Sequence, residues 1–222
     1  MTLAPMHDES GPLGFLGGSF DPVHVGHLRG AIIVREALNL ARVDLVPAAQ
    51  SPLKPEATLT GAHRLAMLEL AIADVPGLGA DALELNRAGL SFTIDTLEAL
   101  RTQYGATRAL VWIIGSDSLA TLPRWARWRE LLRLAHVAVL DRPGSDMPPE
   151  EVTNWLSQHR VEHSELSLRP AGGVFMLHQP LLDIASSQIR DMFASGDNPR
   201  FLLPDAVMEY IEHNALFGPG KS

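Results

Sequence analysis

Short runs with no polar side chain constrain this chain more than any other feature of its sequence. Residues 109–114 (ALVWII) are apolar throughout, 136–140 repeat the pattern once past His136, and 13–16 form a shorter run ending at Gly17-Gly18. A strand with one face in water alternates polar and apolar residues. These runs do not alternate, so they belong to strands covered on both faces. Helical spacing lies between them, over residues 26–40, 61–73 and 93–104, with a second strand expected at 43–46. Strands alternating with helices make an α/β fold, an open parallel sheet with helices on both faces.

Further along, 150–160 reads as a helix and 174–177 as one more strand. Residues 186–193 and 205–213 read as helices of a C-terminal helical portion spanning about 184–217. Residues 1–11 are expected to be a loose tail and 218–222 a second one, leaving a single domain over 12–217. At 222 residues the chain has enough length for one substantial core.

Composition narrows the function classes. The net charge of -8 speaks against broad, sequence-independent nucleic-acid binding, which needs many cations to displace counterions from phosphates. A small anionic substrate needs only a local cluster of cations and N–H groups. Cysteine is absent, which removes disulfides, thiolate zinc sites and cysteine nucleophiles and fits a reducing cytoplasm. The first residues lack a basic start followed by an apolar stretch, so no secretory signal is read there. No apolar run approaches the roughly 20 residues of a membrane span.

In open parallel sheets ligands sit at the carboxyl ends of strands, and the turn after the first strand, GGSFDPVHVGHL (17–28), is rich in candidate groups. Gly17 and Gly18 carry no Cβ, so a phosphate can approach the backbone closely; the alternative is that they serve packing. His24 and His27, three apart where a helix begins, can face one spot. That end of a helix presents unsatisfied N–H groups and partial positive charge, a site for a triphosphate. A zinc-binding histidine pair is the competing reading. Neither the GxGxxG nor the GxxxxGK[ST] spacing is present.

A second motif, IASSQIR (184–190), places Ser186 and Ser187 before a helical stretch, where their hydroxyls can cap it while its N–H groups face an anion. Arg190, one turn on, adds a forked set of donors suited to phosphate. A plain helix cap with a surface arginine is the alternative.

GGSFDPVHVGHL resembles the signature of the adenylyltransferase and cytidylyltransferase superfamily, with Ser19 where threonine is frequent. IASSQIR resembles that superfamily's ISSTxIR element, with Ala185 in place of its first serine. The resemblance implies a Rossmann-like sheet and a triphosphate pocket. In it His24, His27 and Arg190 would be catalytic, and Gly17, Gly18, Ser19, Phe20, Asp117, Ser186 and Ser187 would bind ATP.

Within the superfamily the chain is similar to bacterial nicotinate mononucleotide adenylyltransferases over residues 13–217. The likeness runs through SPLKP with Lys54, His63-Arg64-Leu65, LELNRAGLSFTIDTL (83–97), IIGSDSLATLPRWARW (113–128) and Arg142-Pro143-Gly144. It implies that Lys54, Thr93 and Trp125 bind an acceptor, nicotinic acid mononucleotide. For Trp128, packing is the expected role. Mg²⁺ would accompany ATP, held by substrate oxygens and water with no protein side chain as metal ligand. The further expectations are a cytoplasmic enzyme, monomer or homodimer, that engages neither nucleic acid nor membrane.

Overall fold

A computed structural model describes residues 11–53, 57–141, 146–166, 168–178 and 182–218. The expected tail at 1–10, Lys54, and Arg142-Pro143-Gly144 lie outside the described residues. Gly11, assigned to the tail from sequence, is held: its carbonyl accepts from Nε and Nη2 of Arg108 at 3.1 and 3.0 Å.

The strands are β1 (Leu13–Gly18), β2 (Arg42–Pro47), β3 (Leu78–Ala80), β4 (Leu110–Gly115), β5 (His136–Leu140) and β6 (Val174–Leu177). They form one sheet in the order β3-β2-β1-β4-β5-β6, and every pairing is parallel. The helices are α1 (Val25–Ala37), α2 (Gly61–Ile72), α3 (Thr93–Tyr104), α4 (Leu131–Leu134), α5 (Glu150–His159), α6 (Ser186–Ser195) and α7 (Asp205–His213). The sheet, its parallel sense and the C-terminal helices agree with the sequence reading.

The apolar runs are explained by their surroundings. On one face Phe15, Leu110, Trp112 and Ile114 pack with Ile94, Leu97 and Leu100 of α3 and with Trp128 and Trp155. On the other, Val43, Val111, Ile113 and Ala138 meet Ala31, Ile33 and Val34 of α1. A third cluster joins Phe20 and Val23 of the first turn to Met67 and Leu68 of α2, Ile189 of α6, and Val207 and Ile211 of α7. The C-terminal helices are therefore packed onto the turn that follows β1. Asp44 interrupts the apolar character of β2 and is buried, but its carboxylate accepts from Nε and Nη2 of Arg42 at 3.0 and 2.9 Å.

The short elements escaped the sequence reading, among them the four-residue α4. The edge strand β3 has three residues, one of them glycine, too few for periodicity to register. Residues Ser116–Arg124 form a 3₁₀ stretch that contains Pro123. No helix among the described residues is long and apolar enough to cross a membrane.

Candidate active site

β1 is the strand at which the chain's path across the sheet reverses, since β2 and β3 lie to one side of it and β4 to β6 to the other. Outside the carboxyl ends of strands at such a reversal an α/β sheet leaves a crevice. A cleft of about 770 Å³ opens there.

Its first wall is the turn after β1. The glycines that end β1 answer to packing: a Cβ on Gly17 would stand 2.6 Å from the indole of Trp112, and one on Gly18 would stand 2.9 Å from the ring of Phe20. This is the second of the two readings open from sequence. Both residues still face the cleft. Phe20 adopts a left-handed backbone (φ 49°) and is buried, with its ring edge-on to His27 at 5.0 Å.

His24 is the N-cap of α1 and His27 its third residue. Their rings stack at 3.7 Å between centroids, inclined by 26°. The N–H of His24 donates to Nδ1 of His27 at 3.4 Å, so the neutral ring of His27 carries its hydrogen on Nε2. Stacked faces do not aim two lone pairs at one metal. Among the described residues no group of three His, Asp or Glu side chains is placed to hold one. The zinc reading is therefore not supported.

The second motif closes over the first. Arg190 donates through Nη1 to the carbonyl of Asp21 at 2.7 Å, and the hydroxyl of Ser186 donates to the carbonyl of Pro22 at 2.9 Å. This corrects the capping expected of the serines: the N-cap of α6 is Ala185, which has no side-chain cap. Ser186 bridges to the β1 turn, and Ser187 is exposed beside it on the cleft. The N-termini of α1, α3 and α6 all open on the cleft, each a source of N–H donors and partial positive charge.

The opposite wall belongs to the α3 face of the sheet. Thr93 is the first residue of α3, and Phe92 and Trp125 pack on the cluster beneath it. Asp117 lies exposed at the start of the 3₁₀ stretch after β4. Each of these residues lines the cleft. Trp128 does not: it is buried, edge-on to Trp155 at 5.6 Å with the guanidinium of Arg129 over its ring, as packing predicted. Thus the cleft gathers every candidate the sequence named except Lys54, which lies outside the described residues.

Four charged residues given no role from sequence also belong here. Arg124 stands at the rim and Glu84 in the α3-side wall. Asp21 and Arg64, both buried, lock the loops together. The Asp21 carboxylate accepts the N–H groups of Thr58 and Leu59 at 2.6 and 3.3 Å. Arg64 donates to the carbonyls of Ser19, Leu59 and Ala49 at 2.8, 3.2 and 3.4 Å. Burial pulls the Arg64 pKa down from its ordinary value and Asp21 pulls it back. A signal for Arg64 existed: the buried stripe of α2 is Arg64, Met67, Leu68, Ala71 and Ile72, so the arginine heads an otherwise apolar face.

The cytidylyltransferase-like family model matches residues 15–192. The chain belongs to the cytidylyltransferase-like family. Its relatives within that family include the probable nicotinate-nucleotide adenylyltransferase of Pseudomonas putida (strain W619), 42% identical over 92% of this chain and 94% of that protein. The one from Cellvibrio japonicus (strain Ueda107) is 40% identical over 92% of this chain and 98% of that protein. Among solved structures, Plasmodium falciparum nicotinic acid mononucleotide adenylyltransferase complexed with NaAD superposes with a TM-score of 0.73. It covers 93% of this chain and 97% of its own at 16% identity, a likeness of fold. The cytidylyltransferase-like match ends inside α6, so α7 is an element beyond the matched region.

Proposed function

We propose that this chain transfers the adenylyl group of ATP to nicotinic acid mononucleotide, forming nicotinic acid adenine dinucleotide and releasing pyrophosphate. One observation carries the reading. The stacked histidines, Arg190 and the N-termini of α1 and α6 meet at one wall of a cleft, and the opposite wall offers an aromatic face and another helix N-terminus. The names of the relatives at 40–42% identity support the same substrate pair.

The first wall suits a triphosphate. Arg190 would offset its charge and the His24 and His27 rings would donate N–H groups to it, while Gly17, Gly18, Ser19, Phe20, Ser186 and Ser187 bound the space it occupies. Asp117 would accept from a ribose hydroxyl. The second wall suits the acceptor: a pyridine carboxylate fits the N–H groups at Thr93, and its ring stacks on Trp125. Lys54 would serve the acceptor's phosphate.

An oxygen of that phosphate attacks the α-phosphorus of ATP. As the new P–O bond forms, the bond from the α-phosphorus to the α,β-bridging oxygen breaks in line, and pyrophosphate departs with the electron pair. No covalent intermediate on the protein is needed. The protein aligns the reactants, worth roughly 7–11 kcal/mol in well-oriented systems, and stabilises charge that develops on the transferred group. Mg²⁺ would travel with ATP, since the chain's donors here fit a metal held by phosphate oxygens and water better than a protein cage.

Pyrophosphate release from ATP, measured against a panel of acceptors, tests this. Nicotinic acid mononucleotide is expected to support turnover and phosphopantetheine none. The nicotinamide analogue, lacking the carboxylate charge, is expected to fall behind by about tenfold or more in kcat/KM, the scale of one charge-assisted hydrogen bond. Release that is absent with the nicotinate acceptor, or indifferent to the acceptor, would refute the assignment.

A further inference from the structure

Glu84 has no place in the chemistry above, yet it is buried at 4% exposure in the wall of the cleft, between β3 and α3. A carboxylate taken out of water needs its oxygens matched. The Thr96 hydroxyl lies 2.6 Å from Oε1. Burial raises the Glu84 pKa, and the hydroxyls of Thr96 and Ser91 and the charge of Arg87 oppose the rise.

The direction of this bond is set by its neighbour. The Thr96 hydroxyl oxygen accepts from Nη2 of Arg87 at 3.1 Å. A hydroxyl has one hydrogen. That oxygen is already an acceptor, so its hydrogen is available for Glu84. The alternative, the Phe92 carbonyl at 3.3 Å, is the longer bond. A group that only accepts fits this position, and a carboxylate does.

Ser91 donates its N–H to the Gln50 carbonyl at 2.8 Å and accepts the Ala49 N–H at 2.9 Å, tying the approach to α3 onto the loop that leaves β2. Thr96 lies one turn into α3, just after Phe92 and Thr93. The start of α3 is thereby held by the loop on one side and by Glu84 on the other.

We propose that Glu84 is a positioning residue for the acceptor: through Thr96 it holds the Phe92–Thr93 start of α3 where a pyridine carboxylate is received. This rests on the proposed function. The triphosphate wall belongs to a different packing cluster, around Phe20, Val23 and Ile189, so the effect falls on one substrate.

Calorimetric titration of the full chain with nicotinic acid mononucleotide, and separately with α,β-methylene ATP, tests it. In Glu84→Leu the carboxylate is gone, so the Thr96 hydroxyl loses its partner. Acceptor affinity is expected to fall by about tenfold or more, with the ATP analogue bound as by the unaltered chain. Thr96→Val is expected to shift the same affinity, and the double variant to lose less than the sum, as coupled groups do. Thr96→Val also carries the test if Glu84→Leu fails to fold. Folded variants that bind both ligands normally, or lose both in equal measure, overturn the inference alone. An unaltered chain that binds no nicotinic acid mononucleotide overturns the proposed function and this inference with it.

Discussion

Replacing His24 by alanine is expected to lower kcat by about 10² or more at saturating substrates, the scale on which a preorganised charge stabiliser is lost. The imidazole is only 2% exposed, stacks on His27 and caps α1 at the end that opens on the cleft. In that setting, on the proposed function, it would face a triphosphate in a partly desolvated site, where an electrostatic contact is stronger than in water. The alanine variant loses one stacking partner and leaves the backbone cap in place. Its melting temperature is expected to drop by only a few degrees, roughly the effect of 1 kcal/mol in a domain of this size. Steady-state rates with a thermal melt separate the two effects. A folded variant turning over at the normal rate would remove His24 from the chemistry.

Arg64→Met has the opposite signature, a large loss of stability that carries activity with it. The substitution keeps much of the side chain's apolar bulk and removes every N–H. The carbonyls of Ser19, Ala49 and Leu59 then lose a donor together, and buried Asp21 keeps Arg190 at 3.9 Å but loses the second positive charge near it. Breaking a buried charged group away from its partners costs about 3–5 kcal/mol, which places the fall in melting temperature near 10 °C. Arg64→Lys is expected to fall between the two, because an ammonium cannot reach three carbonyls set around a planar fork. Denaturant unfolding of the three proteins measures the series. Equal midpoints would show that the loops hold without the guanidinium.

The sequence conveyed the sheet well because β1 and β4 announce themselves by unbroken apolar runs, and β2 does so nearly, with Asp44 as its one interruption. α3, β5, β6 and α7 fall where spacing placed them. β3 was invisible because an edge strand of three residues has no pattern to read. In α2 helical spacing placed the helix over 61–73 but did not mark Arg64 as part of its buried stripe, which runs through Arg64, Met67, Leu68, Ala71 and Ile72.

The site divides along the same line. Local motifs are legible, so His24, His27, Ser186, Ser187 and Arg190 could be named, and all of them reach one cleft. What each side chain touches depends on residues far away in the chain. Asp21 reaches the N–H groups of Thr58 and Leu59, Ser186 reaches Pro22, and Ser91 reaches Ala49. Spacing within a motif carries no information about such partners, which explains why the serines looked like helix caps and Glu84 looked like nothing at all.

The most direct test of the account is a crystal structure of this chain with a non-hydrolysable ATP analogue. The expected result is the triphosphate seated between His24, His27 and Arg190, each within hydrogen-bond reach of a phosphate oxygen, with the α-phosphorus open toward Thr93 and Trp125. A nucleotide bound elsewhere, or one whose phosphates meet none of those three side chains, would contradict it.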